Sequence, residues 1–180
     1  MVYVFLADGF EEIEAICPTD ILRRANVLVQ TVGVPGKTVT GSHGIPVTAD
    51  LSISEIKLDD ALEMIVLPGG MPGTDNLQKD PGVNNALDFA AQNDIYIAAI
   101  CAAPKILGAK GLLNGKKATC FPGYEEELKG AEIVDKSVVT NGKIITAKGA
   151  GAALLFGFEL TKALKGQETA EKIARVMQTP

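Results

Sequence analysis

Along this chain, apolar runs alternate with amphipathic stretches: Val2–Leu6 then Glu11–Ala25, Val27–Gly33, Met64–Leu67 then Pro81–Gln92, and Tyr96–Ile100 then Ala103–Lys110. That alternation is the pattern of βαβ units, which build a largely parallel sheet, so the expected fold class is α/β. Two stretches depart from it. Thr38–Asp50, with Gly41, Gly44 and Pro46, reads as a pair of short antiparallel strands standing off the main sheet. Val138–Ala147 carries Asn141-Gly142 between two β-rich runs, a strong short-range hairpin signal. A helix over Ala152–Lys165 is stopped by Gly166, and a last one covers Glu168–Gln178. With 180 residues, 47% of them hydrophobic, the chain can bury one sizeable core, and residues 1–180 are expected to form a single domain.

The formal net charge is −5 and Lys and Arg are scattered, which argues against a nucleic-acid footprint or an anionic membrane surface. The opening MVYVFLADG has no basic region and too short an apolar run for a signal peptide. No segment approaches the ~20 apolar residues of a membrane span, so a cytoplasmic protein is expected. Cys17, Cys101 and Cys120 are odd in number and form no CxxC pair. Neither a disulfide framework nor a zinc site follows, and reduced thiols are the expectation.

In a parallel sheet, ligands gather where the carboxyl ends of strands meet helix N-termini. Four expected loops end there: Ala7–Phe10, Pro68–Gly73, the corner at Cys101, and Lys148–Gly151. Free cysteine commonly serves as a small buried hydrophobe, but Cys101 stands between a strand and the helix opened by Pro104, where a helix dipole favours thiolate. The geometry is that of a nucleophile elbow, with Ala102 and Ala103 as its small neighbours. Cys17 and Cys120 read as packing residues. Of three glutamates after the first strand, Glu11 and Glu12 suit a helix's first turn as offsets to its dipole. Glu14, followed by Ala15 and Ile16, suits an inward position over the strand ends. A carboxyl desolvated beside a thiolate takes up a proton and donates it in a hydrogen bond to sulfur. The LPGGMPG stretch is a turn, and its glycines, Gly69 and Gly70, let backbone N–H groups approach a ligand as an oxyanion hole. The only histidine, His43, lies in the Gly41–Gly44 excursion. Two phosphate-loop look-alikes fail: Gly36-Lys37-Thr38 has Thr31 where a P-loop needs Gly, and Gly149-Ala150-Gly151 is followed by Leu154 where a dinucleotide fingerprint needs its third Gly.

Four segments, GFEEIEAICPTDILRRA, IVLPGGMPGTDNL, IYIAAICAAPKIL and ITAKGAGAALLFGFEL, occur here in an order and spacing that resembles the DJ-1/ThiJ/PfpI superfamily, in its DJ-1-like branch, nearly end to end. The resemblance implies a flavodoxin-like three-layer sandwich, usually a homodimer, with an easily oxidised elbow cysteine. On this chain, Cys101 matches that cysteine, Glu14 the protonated glutamate bonded to it, and Gly69 and Gly70 the oxyanion-hole backbone. Two departures stand out. Phe121 occupies a place where some members have a histidine near the cysteine, and His43 stands where an arginine is common.

What the resemblance implies about activity is a cysteine-dependent enzyme acting on small reactive carbonyls, a glutathione-independent glyoxalase or a deglycase, with no metal or organic cofactor. The rival expectation is an oxidative-stress sensor or redox-regulated chaperone that uses oxidation of Cys101. An amidase or peptidase of the Cys-His type is disfavoured by Phe121.

Overall fold

The computed structural model describes residues 1–179. Its centre is a seven-stranded sheet. In chain order the strands and helices of its first half are β1 (Val2–Ala7), α1 (Glu12–Arg24), β2 (Val29–Val34), β3 (Thr38–Thr40), β4 (Pro46–Thr48), β5 (Leu51–Ser52), β6 (Met64–Leu67), α2 (Gly73–Lys79) and α3 (Pro81–Gln92). The second half adds β7 (Tyr96–Ile100), α4 (Pro104–Ala109), β8 (Lys117–Ala118), β9 (Glu132–Ile133), β10 (Val138–Asn141), β11 (Ile144–Ala147), α5 (Ala153–Lys165) and α6 (Gln167–Val176). The sheet order is β10-β11-β7-β6-β1-β2-β5, and every pairing is parallel except the β10–β11 edge. The α/β class read from the sequence is therefore observed, and β3 and β4 form the expected antiparallel pair outside the sheet.

The two-residue period of a strand explains how one sheet serves two cores. Tyr3, Phe5 and Ala7 of β1 face a cluster with Leu77 of α2, Leu87 of α3 and Leu107 of α4. Val2, Val4 and Leu6 face the opposite cluster, with Ile21 and Leu22 of α1, Phe156 and Leu160 of α5, and Ile173 of α6. Both faces are covered, which is why β1, β6 and most of β7 contain no outward polar residue.

Three details differ from the sequence reading. The segment 73–79 is helical, because Thr74 N–H and Asn76 N–H bond back to the Gly70 and Pro72 carbonyls and carry the turn onward. The short pairs β5 with β2 and β8 with β9 are too brief to show a period. The hairpin turns on Gly142 and Lys143 rather than on Asn141-Gly142, since Asn141 still pairs with Ile144. Only Gly142 of the two turn residues has positive φ, 61°, as expected when glycine holds the first central position. Among the described residues, no helix is long and apolar enough to cross a membrane.

The α2–α3 junction turns on Asp80, whose carboxylate accepts from Val83 N–H at 3.0 Å while Pro81 occupies the first helical position. Asp80→Ala leaves that donor unpaired and is expected to lower stability by about 1 kcal/mol in urea denaturation.

Candidate active site

The carboxyl ends of β1, β6, β7 and β11 bring all four expected loops together. α1 starts just past the first loop, where the Glu11 carboxylate caps it by accepting from Glu14 N–H at 2.8 Å. Glu14 is the first residue of the inward stripe Glu14, Pro18, Ile21 and Leu22, which follows the helical repeat. It is 1% exposed. Its Oε2 accepts from Gly69 N–H at 2.9 Å, and the Ala150 N–H also faces the carboxyl.

Cys101 follows β7 with φ of 66°, in the left-handed region that a residue with a side chain rarely adopts. Such a conformation costs ~1–3 kcal/mol and persists only where the surroundings enforce it. Here Cys101 N–H donates to the Ala147 carbonyl at 2.9 Å, and its own carbonyl accepts from Phe121 N–H at 2.8 Å. The effect is to lift the side chain out of the strand toward Glu14 and the 67–73 loop. Gly69 is required by crowding: a Cβ there would lie 2.6 Å from both Cys101 Cβ and Glu14 Oε2. Gly70 has φ of 87°, and a Cβ on it would strike the Glu11 nitrogen at 2.4 Å.

Burial pushes Glu14 up to about 7; a hydrogen bond with Cys101 pulls it down, the Glu11 charge pushes it further up, and the Gly69 and Ala150 N–H groups pull it down. Burial also pushes the Cys101 thiol up to about 12, joined by the charge of Glu14 and the hydrogen bond with it, while the Gly70 and Ala102 N–H groups pull it down. The expected dipole-lowered thiol is thus not what the structure builds. α4 has six residues, too few for a strong dipole, and burial outweighs the N–H donors. Glu14 and Cys101 compete for a proton and titrate as a pair. A thiolate beside an ionised Glu14 is opposed by like charge, so the nucleophilic microstate is the one with the proton on Glu14. The sulfur then faces three donors, the Glu14 carboxyl and the Gly70 and Ala102 N–H groups.

The remaining candidates lie as follows. The Gly69 N–H is engaged by Glu14, so of the two glycines only Gly70 offers its N–H to the sulfur side. Ala102 N–H is the donor that sequence reasoning missed; its signal was its place directly after the elbow residue, where a nucleophile elbow takes an oxyanion donor. His43 is exposed and forms no hydrogen bond with Cys101 or Glu14 among the described residues. Its ring meets Glu12 Oε2 at 2.9 Å and its N–H meets Glu12 Oε1 at 2.8 Å, and the bond with Glu12 raises the imidazole. Glu12 is therefore more than a charge offsetting a dipole: it ties the 41–44 loop to α1. Glu11, Glu12 and His43 are a group whose donor atoms lie within 4.8 Å of one another, close enough for a metal ion, though Glu11 already caps α1 and Glu12 already accepts from His43. Phe121 is half exposed beside the elbow, Cys120 is buried in the core, and Cys17 is half buried on α1.

A parallel sheet with a thiol on a strained strand-to-helix corner, paired with a buried carboxyl, defines a class of cysteine-elbow α/β proteins. The sequence profile of the DJ-1/PfpI family matches residues 1–163, and the chain belongs to that family. It is 34% identical over 175 residues to "Protein dj-1beta" of Drosophila melanogaster, covering 96% of this chain and 93% of that protein. It is 29% identical over 167 residues to "Glutathione-independent glyoxalase DJR-1.2" of Caenorhabditis elegans, covering 92% and 88%. The solved structure of oxidized Toxoplasma gondii DJ-1 superposes with a TM-score of 0.93 at 34% identity, over 98% of this chain and 96% of that one.

Proposed function

We propose that this protein is a cysteine-dependent enzyme that converts small α-oxoaldehydes to α-hydroxy acids without glutathione. The observation that carries the reading is the Glu14–Cys101 pair: a carboxyl 1% exposed, with burial holding it near neutrality, beside a nucleophilic atom. A general acid–base works best with a pKa near the operating pH. The likeness to a protein named as a glutathione-independent glyoxalase supports the same reaction class.

The chemistry needs one nucleophile and one proton carrier. The Cys101 thiolate adds to the aldehyde carbon, and Glu14 gives its proton to the new alkoxide, whose oxygen the Gly70 and Ala102 N–H groups hold. The Glu14 carboxylate then removes the hydrogen of that carbon as a proton while the hydroxyl proton beside it passes to the ketone oxygen, giving an enediolate, and Glu14 returns its proton to the former ketone carbon. A thioester results, and water attacks it with Glu14 taking the proton, releasing the hydroxy acid and restoring the starting pair. The aldehyde carbon is oxidised and the ketone carbon reduced, so no outside oxidant enters. Lactate formation from methylglyoxal in the absence of glutathione tests the reading; a purified protein that forms none overturns it.

The chain is further proposed to act as a homodimer, with α1 at the contact. Ile13 and Ile16 are 54% and 42% exposed on one side of α1, beside half-buried Cys17, so an apolar strip lies uncovered on the single chain. Light scattering at micromolar concentration is expected to give about twice the chain mass, and Ile16→Asp is expected to shift it toward one chain mass. A concentration-independent monomer would remove the dimer.

A further inference from the structure

At the loop after β11 lies a pocket of about 380 Å³ whose walls include Phe121, Pro122, Lys148, Gly149, Ala150 and Ala152. It adjoins the reacting groups through Gly149. A Cβ placed there would lie 3.1 Å from Phe121 Cδ2 and 3.8 Å from Glu14 Oε1, so the phenyl ring and the catalytic carboxyl flank one bare glycine. Phe121 is also tied to the nucleophile, since its N–H donates to the Cys101 carbonyl at 2.8 Å. That bond fixes the backbone under a ring that remains 48% exposed. The walls are mostly apolar and contain no carboxylate, and the one cation, Lys148, is already paired with Asp135.

The order of groups matters. The two Glu14 oxygens face different neighbours: Oε2 lies with Cys101 Cβ about the Gly69 backbone, and Oε1 lies toward Gly149 and the Phe121 ring, so Glu14 links the nucleophile's side to the pocket's side. An α-oxoaldehyde has the same order: the aldehyde carbon bonds to sulfur, the ketone carbon receives the proton from Glu14, and the ketone's substituent extends beyond. A methyl group leaves most of this space empty and the Phe121 face uncovered, whereas an aromatic ring has the area to meet both.

We propose that this pocket binds the ketone-side substituent of the substrate and that Phe121 selects an aromatic one, making arylglyoxals the preferred substrate class. This rests on the α-oxoaldehyde reading above. Phenylglyoxal and water give mandelate and a proton by the steps already written, with the ring unchanged.

Two measurements test it together. The first is kcat/KM for phenylglyoxal and for methylglyoxal, followed by mandelate and lactate formation, in the wild type, Phe121→Ala and Phe121→Tyr. The wild type is expected to favour phenylglyoxal by ~10-fold, Phe121→Ala to lose that preference, and Phe121→Tyr to keep it, because the preference comes from ring-to-ring contact. The second is binding of mandelate, followed by backbone amide resonances. Mandelate is expected to shift Gly149, Ala150 and Ala152 in the wild type and in Phe121→Tyr but not in Phe121→Ala, and lactate is expected to leave them in place. A substrate preference unchanged in Phe121→Ala overturns the assignment, as does mandelate binding that ignores Phe121. If no oxoaldehyde is turned over, Phe121-dependent mandelate shifts uphold the aromatic pocket while the proposed reaction falls; absence of both overturns the pocket as well.

Discussion

Cys101→Ser is expected to bring lactate formation from methylglyoxal down to background, while Cys17→Ser and Cys120→Ser retain most of it. The serine hydroxyl is a far weaker acid than a thiol, and the site offers no histidine to remove its proton: the only one, His43, is bonded to Glu12. The pair that works for sulfur therefore cannot ionise oxygen. The other two cysteines have no comparable surroundings. Burial pushes Cys120 up to about 11 and it packs in the core under the β6–β7 face, while Cys17 is raised by burial and by the Asp20 charge on α1. Equal activity in all three variants would take Cys101 out of the mechanism. If turnover were absent even in the wild type, yet dilute peroxide placed oxygen on Cys101 before Cys17 and Cys120, the redox-sensor reading would replace the enzymatic one.

Glu14→Gln separates the proton carrier from the hydrogen-bonding group. The amide can still accept from Gly69 N–H and donate toward sulfur, so the site should keep its shape, but it cannot relay a proton. Turnover is expected to fall by ~10²–10⁴, the range for a lost general acid–base. Stability should move the other way. The Glu14 carboxyl is raised from 4.5 to about 7 by burial, so between those values the folded chain holds a proton that the unfolded chain has released. Its contribution is fully present below pH 4.5, falls as pH rises, and is lost through about pH 7, a change on the order of 3 kcal/mol. Glutamine does not titrate, so urea midpoints measured from pH 4.5 to 8 should fall in the wild type across that window and fall less in Glu14→Gln. Parallel curves would mean that Glu14 is not the buried proton holder, and full turnover in the variant would mean that it is not the shuttle.

How much of this was legible beforehand differs from one element to the next. The strands β1, β6 and β7 were readable because burial on both faces leaves an unbroken apolar run, and α3 because its cap, proline and periodic face are all local. The Cys101 corner was readable for a similar reason: a strand that ends in Cys and a helix that opens with Pro leave few residues for the turn. Helix 73–79 was hidden behind a proline- and glycine-rich stretch that reads as loop, because what makes it helical is closure onto the Gly70 and Pro72 carbonyls.

At the site, the sequence by itself determined which residue types meet. Glu14 opens the inward stripe of α1, and two glycines follow β6, both dictated by local periodicity and by the residues that a tight turn accepts. The tertiary structure decided their protonation and their partners. Whether a thiol is raised or lowered depends on how much water the fold removes and which charges it places nearby, and neither distance nor desolvation is written in residue order. Burial by α1 and the 67–73 loop thus overrode the dipole expected at α4, and the Gly69 N–H went to Glu14 rather than to a substrate oxygen. The same holds for Glu12 with His43 and for Phe121 with Gly149, pairs separated by 31 and 28 positions in the chain. They exist only because parallel strands end at one edge and bring distant loops within hydrogen-bonding or van der Waals reach.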